Sequence, residues 1–273
     1  MDPIACPEGL RCGTHIWGPP LECGMLNDLC VAVFTDVHGN GFAIDAVLSD
    51  LGRWSPDIVV NLRDQLWGQA DPMRAYDLLA EMNAPSVRGN NDERLMMQDA
   101  QLDTTVRPLR SWLVEQLPCG VPAYLAALPT ALRLADGAVL AAHGAPDTPW
   151  DGLLLDWDGN GYVPRPEQEV RARLASTDPA QVVVVGHMHR EATRHLDGRL
   201  LVSVGPVSSQ SDRDPRARWA LLRRCRGRWS VEHRRVTYDW DAATRWEARH
   251  GPLTGRSALN HAAPPMLTLR DPR

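Results

Sequence analysis

Two side chains that can bind a metal ion occur two residues apart in the segment Phe34-Thr35-Asp36-Val37-His38-Gly39-Asn40. A run of β-forming residues, Val31 to Phe34, precedes them and Gly39 interrupts the pattern. Asp36 and His38 should therefore emerge on the same side of a strand end. A carboxylate and an imidazole at this spacing can serve as two ligands of one ion. A buried Asp-x-His pair can also be a hydrogen-bonded structural couple, so this motif alone leaves both interpretations open.

Similar residues follow four further predicted strands. They are Asp64, Asn90, His143, and His187 together with His189. An α/β fold assembles its sites at the carboxyl ends of strands, along one edge of the sheet. Each residue has a structural alternative, because Asp64 could cap a turn, Asn90 could occupy a left-handed bend and His143 could be a hydrogen-bonded core histidine. Five such coincidences in order are less credible than one site, so the sequence predicts a metal centre.

The elements that must position these residues follow from hydrophobic periodicity and turn signals. The first third of the chain predicts a β-α-β-α-β order, and Asp136-Gly137 predicts a hairpin that makes the later sheet partly antiparallel. The predicted strands are 31–34, 57–62, 85–88, 132–134, 138–142, 181–185, 199–204, 219–223 and 229–236. The predicted helices are one capped by Asn40 and ending near Gly52, one opening at Asp71-Pro72, then 109–117, 121–128, 166–176 and a short helix beyond Tyr238. Residues 145–165 lack a clear period and predict a long surface loop, which is either functional or a tolerated insertion.

Composition limits the class of protein. The 273 residues, 44% apolar and 23% charged, suit one sizeable α/β domain. A net charge of -5 gives no overall basic character for binding nucleic acid, which is therefore an unexpected partner, with a local arginine patch as the alternative. No apolar stretch reaches the roughly 18 residues of a membrane span, and the start lacks a signal-peptide pattern, so a cytoplasmic location is expected.

The cysteines concentrate at the start of the chain. Six occur, and four of them, Cys6, Cys12, Cys23 and Cys30, lie before or at the first strand without C-x-x-C spacing. We interpret them as free thiols of a loose leader, with a zinc site or disulfides as the alternative.

In their order and spacing, the motifs resemble those of the calcineurin-like metallophosphoesterase superfamily, which are D-x-H, G-D, G-N-[HC]-[DE], H and G-H-x-H. The resemblance covers residues 31 to about 238, and within the superfamily the sequence is similar to the YfcE-like phosphodiesterase group. It implies a four-layer αββα sandwich with two mixed β-sheets. The domain would span 30–240, after an unstructured or loosely ordered leader at 1–29 and before a C-terminal covering segment or tail at 241–273.

The resemblance also implies a function and a set of ligands. It places Asp36, His38 and His189 on one metal ion, Asn90, His143 and His187 on another, and Asp64 between them, with Asp36, His38, Asp64, Asn90 and His143 as the catalytic set. The expected cofactors are two divalent transition-metal ions, manganese first, with iron, zinc, nickel and cobalt as alternatives. The expected reaction is hydrolysis of a small phosphodiester by direct attack of a metal-bridging hydroxide. A phosphomonoesterase and a non-catalytic metal-binding scaffold are the alternatives, and a homo-oligomer is left open.

Three residues near the predicted ligands are candidate substrate contacts. Arg63 stands where the family has glycine and could crowd the site or reach a phosphate, with weak strain the favoured interpretation. Asn91 stands where many relatives have a histidine that assists the leaving group. Trp150, in the 145–165 segment, could offer its ring to a base or an alcohol, or could anchor the core.

Overall fold

The computed structural model describes residues 28–253 and arranges them as two facing β-sheets with helices on both outer faces. The strands are β1 (Leu29–Phe34), β2 (Ile58–Asn61), β3 (Ala131–Leu134), β4 (Val139–Ala142), β5 (Leu155–Trp157), β6 (Tyr162–Pro164), β7 (Val182–Val185), β8 (Glu191–Leu196), β9 (Arg199–Val204), β10 (Ala217–Cys225) and β11 (Arg228–Val236). The helices are α1 (Gly41–Trp54), α2 (Pro72–Met82), α3 (Asn90–Arg94), α4 (Arg107–Gln116), α5 (Val121–Ala126), α6 (Glu167–Leu174) and α7 (Trp240–His250). Among the described residues, no helix combines the length and apolarity that a membrane crossing requires.

Both large sheets contain parallel and antiparallel pairs. The first has the strand order β11-β10-β1-β2, in which β1 is parallel to β2 and antiparallel to β10. The second has the order β3-β4-β7-β9-β8, in which β4, β7 and β9 are parallel while β3 and β8 are antiparallel edge strands. The expectation of two mixed sheets is confirmed.

Alternation along β1 explains the layering. Val31 and Val33 point into an apolar cluster between the two sheets, whereas Ala32 and Phe34 point into a cluster with α1 and α2. A third cluster covers the outer face of the second sheet and includes Val170 of α6. The order of layers is therefore helix, sheet, sheet, helix, which is the predicted αββα sandwich.

The start of α1 is fixed directly beside the first motif. The Asn40 side chain accepts a hydrogen bond from the Ala43 backbone at 2.9 Å, as an N-cap residue does, and its amide donates to Ser208 Oγ at 3.0 Å. The predicted cap is confirmed, and the helix extends slightly beyond Gly52 to Trp54. The turn that carries Asp36 and His38 is thus held between a buried strand and a capped helix.

Two expectations about elements are wrong. The predicted strand at 85–88 is only an isolated parallel bridge between Asn61 and Ser86. Pro85 has no N–H to donate and the Arg88 N–H donates instead to Pro129, so the ladder does not continue. Residues 145–165 are not simply a surface loop, because they contain the β5–β6 hairpin and bury Leu153 and Leu154 against the second sheet.

The two predicted terminal segments lie mostly beyond the described residues. Leu29 already belongs to β1 and α7 ends at His250, whereas 1–27 and 254–273 fall outside the description, together with the predicted thiols Cys6, Cys12 and Cys23. Cys30, the fourth of that group, is a free thiol within β1.

Candidate metal centre

The predicted ligands lie at the ends of strands from both sheets. Asp36 and His38 follow β1, and Asp64 follows β2, in the first sheet. His143 follows β4, and His187 and His189 follow β7, in the second, while Asn90 is the first residue of α3. All seven side chains are buried, with exposures of 0–7%. Segments far apart in the sequence therefore place carboxylates, imidazoles and an amide around one buried volume.

The backbone at these positions is unusual. Asp36, His38, Asp64, His187 and His189 all have positive φ values, between 47° and 67°. Such conformations cost a non-glycine residue on the order of 1–3 kcal/mol each and persist where surrounding contacts enforce them. Here backbone hydrogen bonds join the turns after β1 and β2. The Asp36 N–H donates to the Arg63 carbonyl at 2.8 Å, and the His38 N–H donates to the Asp64 carbonyl at 2.9 Å.

A first group of ligand atoms consists of Asp36, His38 and His189. The Nδ1 atoms of the two histidines lie 3.0 Å from the Trp67 carbonyl and 2.7 Å from the Ser209 carbonyl. Because a carbonyl only accepts, each Nδ1 carries the proton, and each neutral ring presents a lone pair at Nε2. The two Nε2 atoms are 2.9 Å apart. Facing lone pairs repel one another unless a proton or a metal cation lies beside them.

A second group consists of Asp36, Asp64 and His143. His143 Nδ1 lies 2.9 Å from the Leu62 carbonyl, so its Nε2 is the nitrogen that faces the centre, 3.4 Å from Asp64 Oδ2 and 3.0 Å from Asn90 Oδ1. The same Asn90 oxygen lies 3.1 Å from His187 Nδ1. The predicted ligands that the first group lacks therefore lie together here; they are Asp64, Asn90, His143 and His187.

Asp36 joins the two groups. Its Oδ1 is buried without a hydrogen bond within the described residues, and the Nε2 atoms of His189, His38 and His143 surround it at 3.3, 3.8 and 3.9 Å. Burial alone would raise the pKa of Asp36, but His189 and His143 outweigh it and lower the pKa to about 2. Burial alone would likewise lower the pKa of His143, but Asp64 outweighs it and raises the pKa to about 9. The site therefore attracts positive charge strongly.

This arrangement fits divalent metal ions. Converging oxygen and imidazole donors without thiolate suit manganese, iron, zinc, cobalt or nickel. The histidine Nδ1–H bonds to backbone carbonyls are the outer contacts that fix the tautomer of a ligating imidazole. Metal binding is thus supported by the orphaned carboxylate oxygen and by the facing lone pairs.

Arg63 is buried beside Asp64 in a glycine-like conformation with φ of 77°. Its guanidinium donates to Gln65 and interacts with Asp92 and Tyr124. Left-handed backbone costs an ordinary residue about 1–2 kcal/mol, so the favoured expectation of strain agrees with the geometry. A direct contact between Arg63 and a substrate phosphate remains a prediction.

Asn91 is occupied at both ends of its side chain. Its backbone N–H donates to Asp64 Oδ1 at 2.9 Å and its amide donates to Asp64 Oδ2. Its Oδ1 accepts from Arg94 Nη1 at 2.6 Å. A contact between Asn91 and substrate remains a prediction, and the structure gives the side chain a partner in Asp64. Gly89 permits this approach, since a Cβ there would collide with the Asp64 carboxylate.

Arg94 and Asp92 are the neighbours that sequence reasoning missed. Asp92 accepts from the Gly89 N–H at 2.9 Å and thereby caps α3, and Arg94 lies one helical turn from Asn91. If a helix starting at Asn90 had been predicted, its spacing would have placed Asp92 at the capping position and Arg94 beside Asn91. The short Asn-Asn-Asp-Glu-Arg run gave no periodicity from which to predict that helix.

Trp150 is mostly buried, with 9% exposure, and packs against α3. Its Nε1 donates to Glu93 at 2.6 Å and the Arg94 guanidinium lies 5.0 Å from its ring. We expect Trp150→Ala to lower the free energy of unfolding by about 3–5 kcal/mol, the usual cost of deleting a large buried aromatic ring. Thermal and chemical unfolding would measure this, with Trp150→Phe as the control that retains most of the ring. An unchanged melting temperature together with a raised KM would instead assign the ring to substrate.

Comparison with known proteins agrees with this fold. The family sequence model described as the calcineurin-like phosphoesterase superfamily domain matches residues 29–225. The chain therefore belongs to this superfamily of metal-dependent phosphoesterases. A metallophosphoesterase from Sphaerobacter thermophilus is 24% identical, with a TM-score of 0.63 over 81% of this chain and 94% of that one. The hypothetical protein PH1004 from Pyrococcus horikoshii is 19% identical, with a TM-score of 0.66 over 81% and 98% of the two chains. The uncharacterized protein MJ0912 of Methanocaldococcus jannaschii is 22% identical over 189 residues, which are 67% of this chain and 72% of that protein. The structural likenesses are evidence for the fold.

Proposed function

We propose that the protein is a phosphodiesterase that uses two divalent metal ions to hydrolyse a small phosphate ester. The observation that carries the proposal is the pair of overlapping donor groups, which share Asp36 and hold five of the seven predicted ligands. The Asn90 side-chain oxygen lies 3.0 Å from His143 Nε2 and 3.1 Å from His187 Nδ1, so the other two lie beside them. In this proposal Asp36, His38 and His189 would hold one ion, Asn90, His143 and His187 would hold the other, and Asp64 would be a ligand of both. Manganese is the first metal to test.

When bound, two such ions neutralise phosphate oxygens and lower the pKa of the attacking water. The protein's part is to fix the donors in advance. The backbone carbonyls of Trp67, Ser209 and Leu62 hold three imidazoles with their Nε2 atoms toward the centre. The backbone and amide of Asn91 orient both oxygens of Asp64. Burial of these donors away from water favours strong electrostatic interaction with a bound cation.

The direct test is hydrolysis of an activated diester. Purified protein reconstituted with Mn²⁺ should hydrolyse bis-p-nitrophenyl phosphate faster than the monoester p-nitrophenyl phosphate. A higher kcat/KM for the monoester would replace the proposal with a phosphatase. Absence of hydrolysis of either ester by fully metallated protein would favour a non-catalytic scaffold.

A further inference from the structure

Arg94 is a buried cation with an unusual set of neighbours. It is 3% exposed, and its guanidinium lies 5.8 Å from the Trp67 ring and 5.0 Å from the Trp150 ring. Among the described residues, no carboxylate oxygen lies within 4.0 Å of it, and its Nε has no hydrogen-bond partner. Within the described part of the chain, its short polar contact is the 2.6 Å bond from Nη1 to Asn91 Oδ1. A guanidinium is costly to bury, and here no carboxylate within the described residues forms an ion pair that offsets that cost.

The bond from Arg94 decides how the Asn91 amide faces. A guanidinium has only donors and stays protonated, so the amide oxygen must turn toward Arg94 and the amide nitrogen must turn toward Asp64. Reversal of the amide would set an oxygen against the Asp64 carboxylate and a nitrogen against the guanidinium. With the amide fixed, Asn91 gives one N–H to each oxygen of Asp64. The carboxylate is thereby held in one orientation.

We infer that Arg94 is a positioning residue that acts through Asn91 to orient Asp64 for metal binding. The inference rests on the proposed function, in which Asp64 bridges the two ions. Hydrogen bonds to a ligating carboxylate, when removed, typically cost about 10- to 100-fold in metal affinity or activity. Arg94 therefore fixes the Asn91 amide in the orientation in which it donates to Asp64.

The test measures metal affinity without relying on catalysis. Metal-free protein and the variants Arg94→Gln, Asn91→Ala and the double variant would be titrated with Mn²⁺ by calorimetry, with melting temperatures recorded for each metal-free protein. Arg94 does not itself bond a ligand, so we expect Arg94→Gln to weaken Mn²⁺ binding by about 10-fold, the lower end of the range for groups that do. Because Arg94 acts through Asn91, the double variant should bind no more weakly than Asn91→Ala alone. Arg165→Gln is the matched control, since Arg165 is also buried but pairs with Asp156 and Glu169, and its Mn²⁺ affinity should be unchanged.

Each alternative outcome is distinct. A lower melting temperature with unchanged Mn²⁺ affinity in Arg94→Gln would make Arg94 a packing residue and overturn the inference. Additive losses in the double variant would also overturn it, because Arg94 would then act independently of Asn91. If Arg94→Gln does not fold, Arg94→Met keeps an unbranched stem between the two rings and carries the same comparison. Failure of the parent protein to bind Mn²⁺ would instead reject the proposed function.

Discussion

Replacement of Asp64 with Ala is expected to remove metal binding and phosphodiester hydrolysis together, with a loss of more than 100-fold in kcat/KM. Asp64 is 1% exposed, and its Oδ2 lies 3.4 Å from His143 Nε2. Removal of the carboxylate would take away the proposed bridge between the ions and leave His143 and the Asn91 donors without their acceptor. Contacts outside the ligand sphere are typically worth about 10- to 100-fold, so loss of a bridging ligand should exceed that range.

Two variants separate the bridging role from a general effect of mutation. Asp64→Asn keeps the size of the side chain but removes its charge, and we expect it to lose most metal as well. Asp77→Asn changes an exposed carboxylate on α2 and should retain metal and activity. Metal content by mass spectrometry and kcat/KM for bis-p-nitrophenyl phosphate are the measurements. Near-parental metal content and activity in Asp64→Ala would show that Asp64 is not the bridge.

The rate should depend steeply on the acidity of the leaving group. An amide cannot donate a proton at neutral pH, and the resemblance to the family motif G-N-[HC]-[DE] puts Asn91 at the histidine or cysteine position. General-acid assistance is typically worth 10² to 10⁴ in rate, so alkyl and nucleoside esters should be hydrolysed more slowly than nitrophenyl esters by at least that factor. Both ends of the Asn91 amide are already bonded, to Asp64 and to Arg94, which agrees with a role away from proton transfer.

The comparison is between the parent and Asn91→His over a graded series of aryl and alkyl diesters. The ratio of alkyl to aryl rates should rise in the histidine variant, and the ratio cancels any common effect on metal binding. A flat dependence in the parent, with chemistry limiting the rate, would mean that another residue supplies the proton. His195 would then be the first residue to mutate, although it lies exposed near the end of the edge strand β8.

The sequence predicted the strand ends well because their signals are local. Val31 to Phe34 alternate between two apolar clusters, and Val182–Val185 are buried throughout, so hydrophobic pattern and turn residues mark both strands. His38 and His189 are 151 positions apart in the sequence, and the topology of the fold brings them into contact. No local sequence pattern predicts such a contact. The order of the motifs and their resemblance to a family supplied that part of the prediction.

The sequence could not predict features that depend on a single hydrogen bond or on packing. The bridge at Ser86 fails to become a strand because of where two neighbouring backbone groups bond. The β5–β6 hairpin has strands of only three residues each, and the surrounding glycine, proline and aspartate residues hide its period. The role of Arg94 depends on a side-chain bond within a short helix, which composition cannot reveal.

A requirement for two metal ions at one buried site can be measured as metal stoichiometry and phosphodiester hydrolysis in one titration. Protein stripped with chelator and then titrated with Mn²⁺ should bind two ions per chain, and hydrolysis of bis-p-nitrophenyl phosphate should rise from background to its maximum as the second ion binds. Full hydrolytic activity in protein that retains no stoichiometric metal would contradict the account.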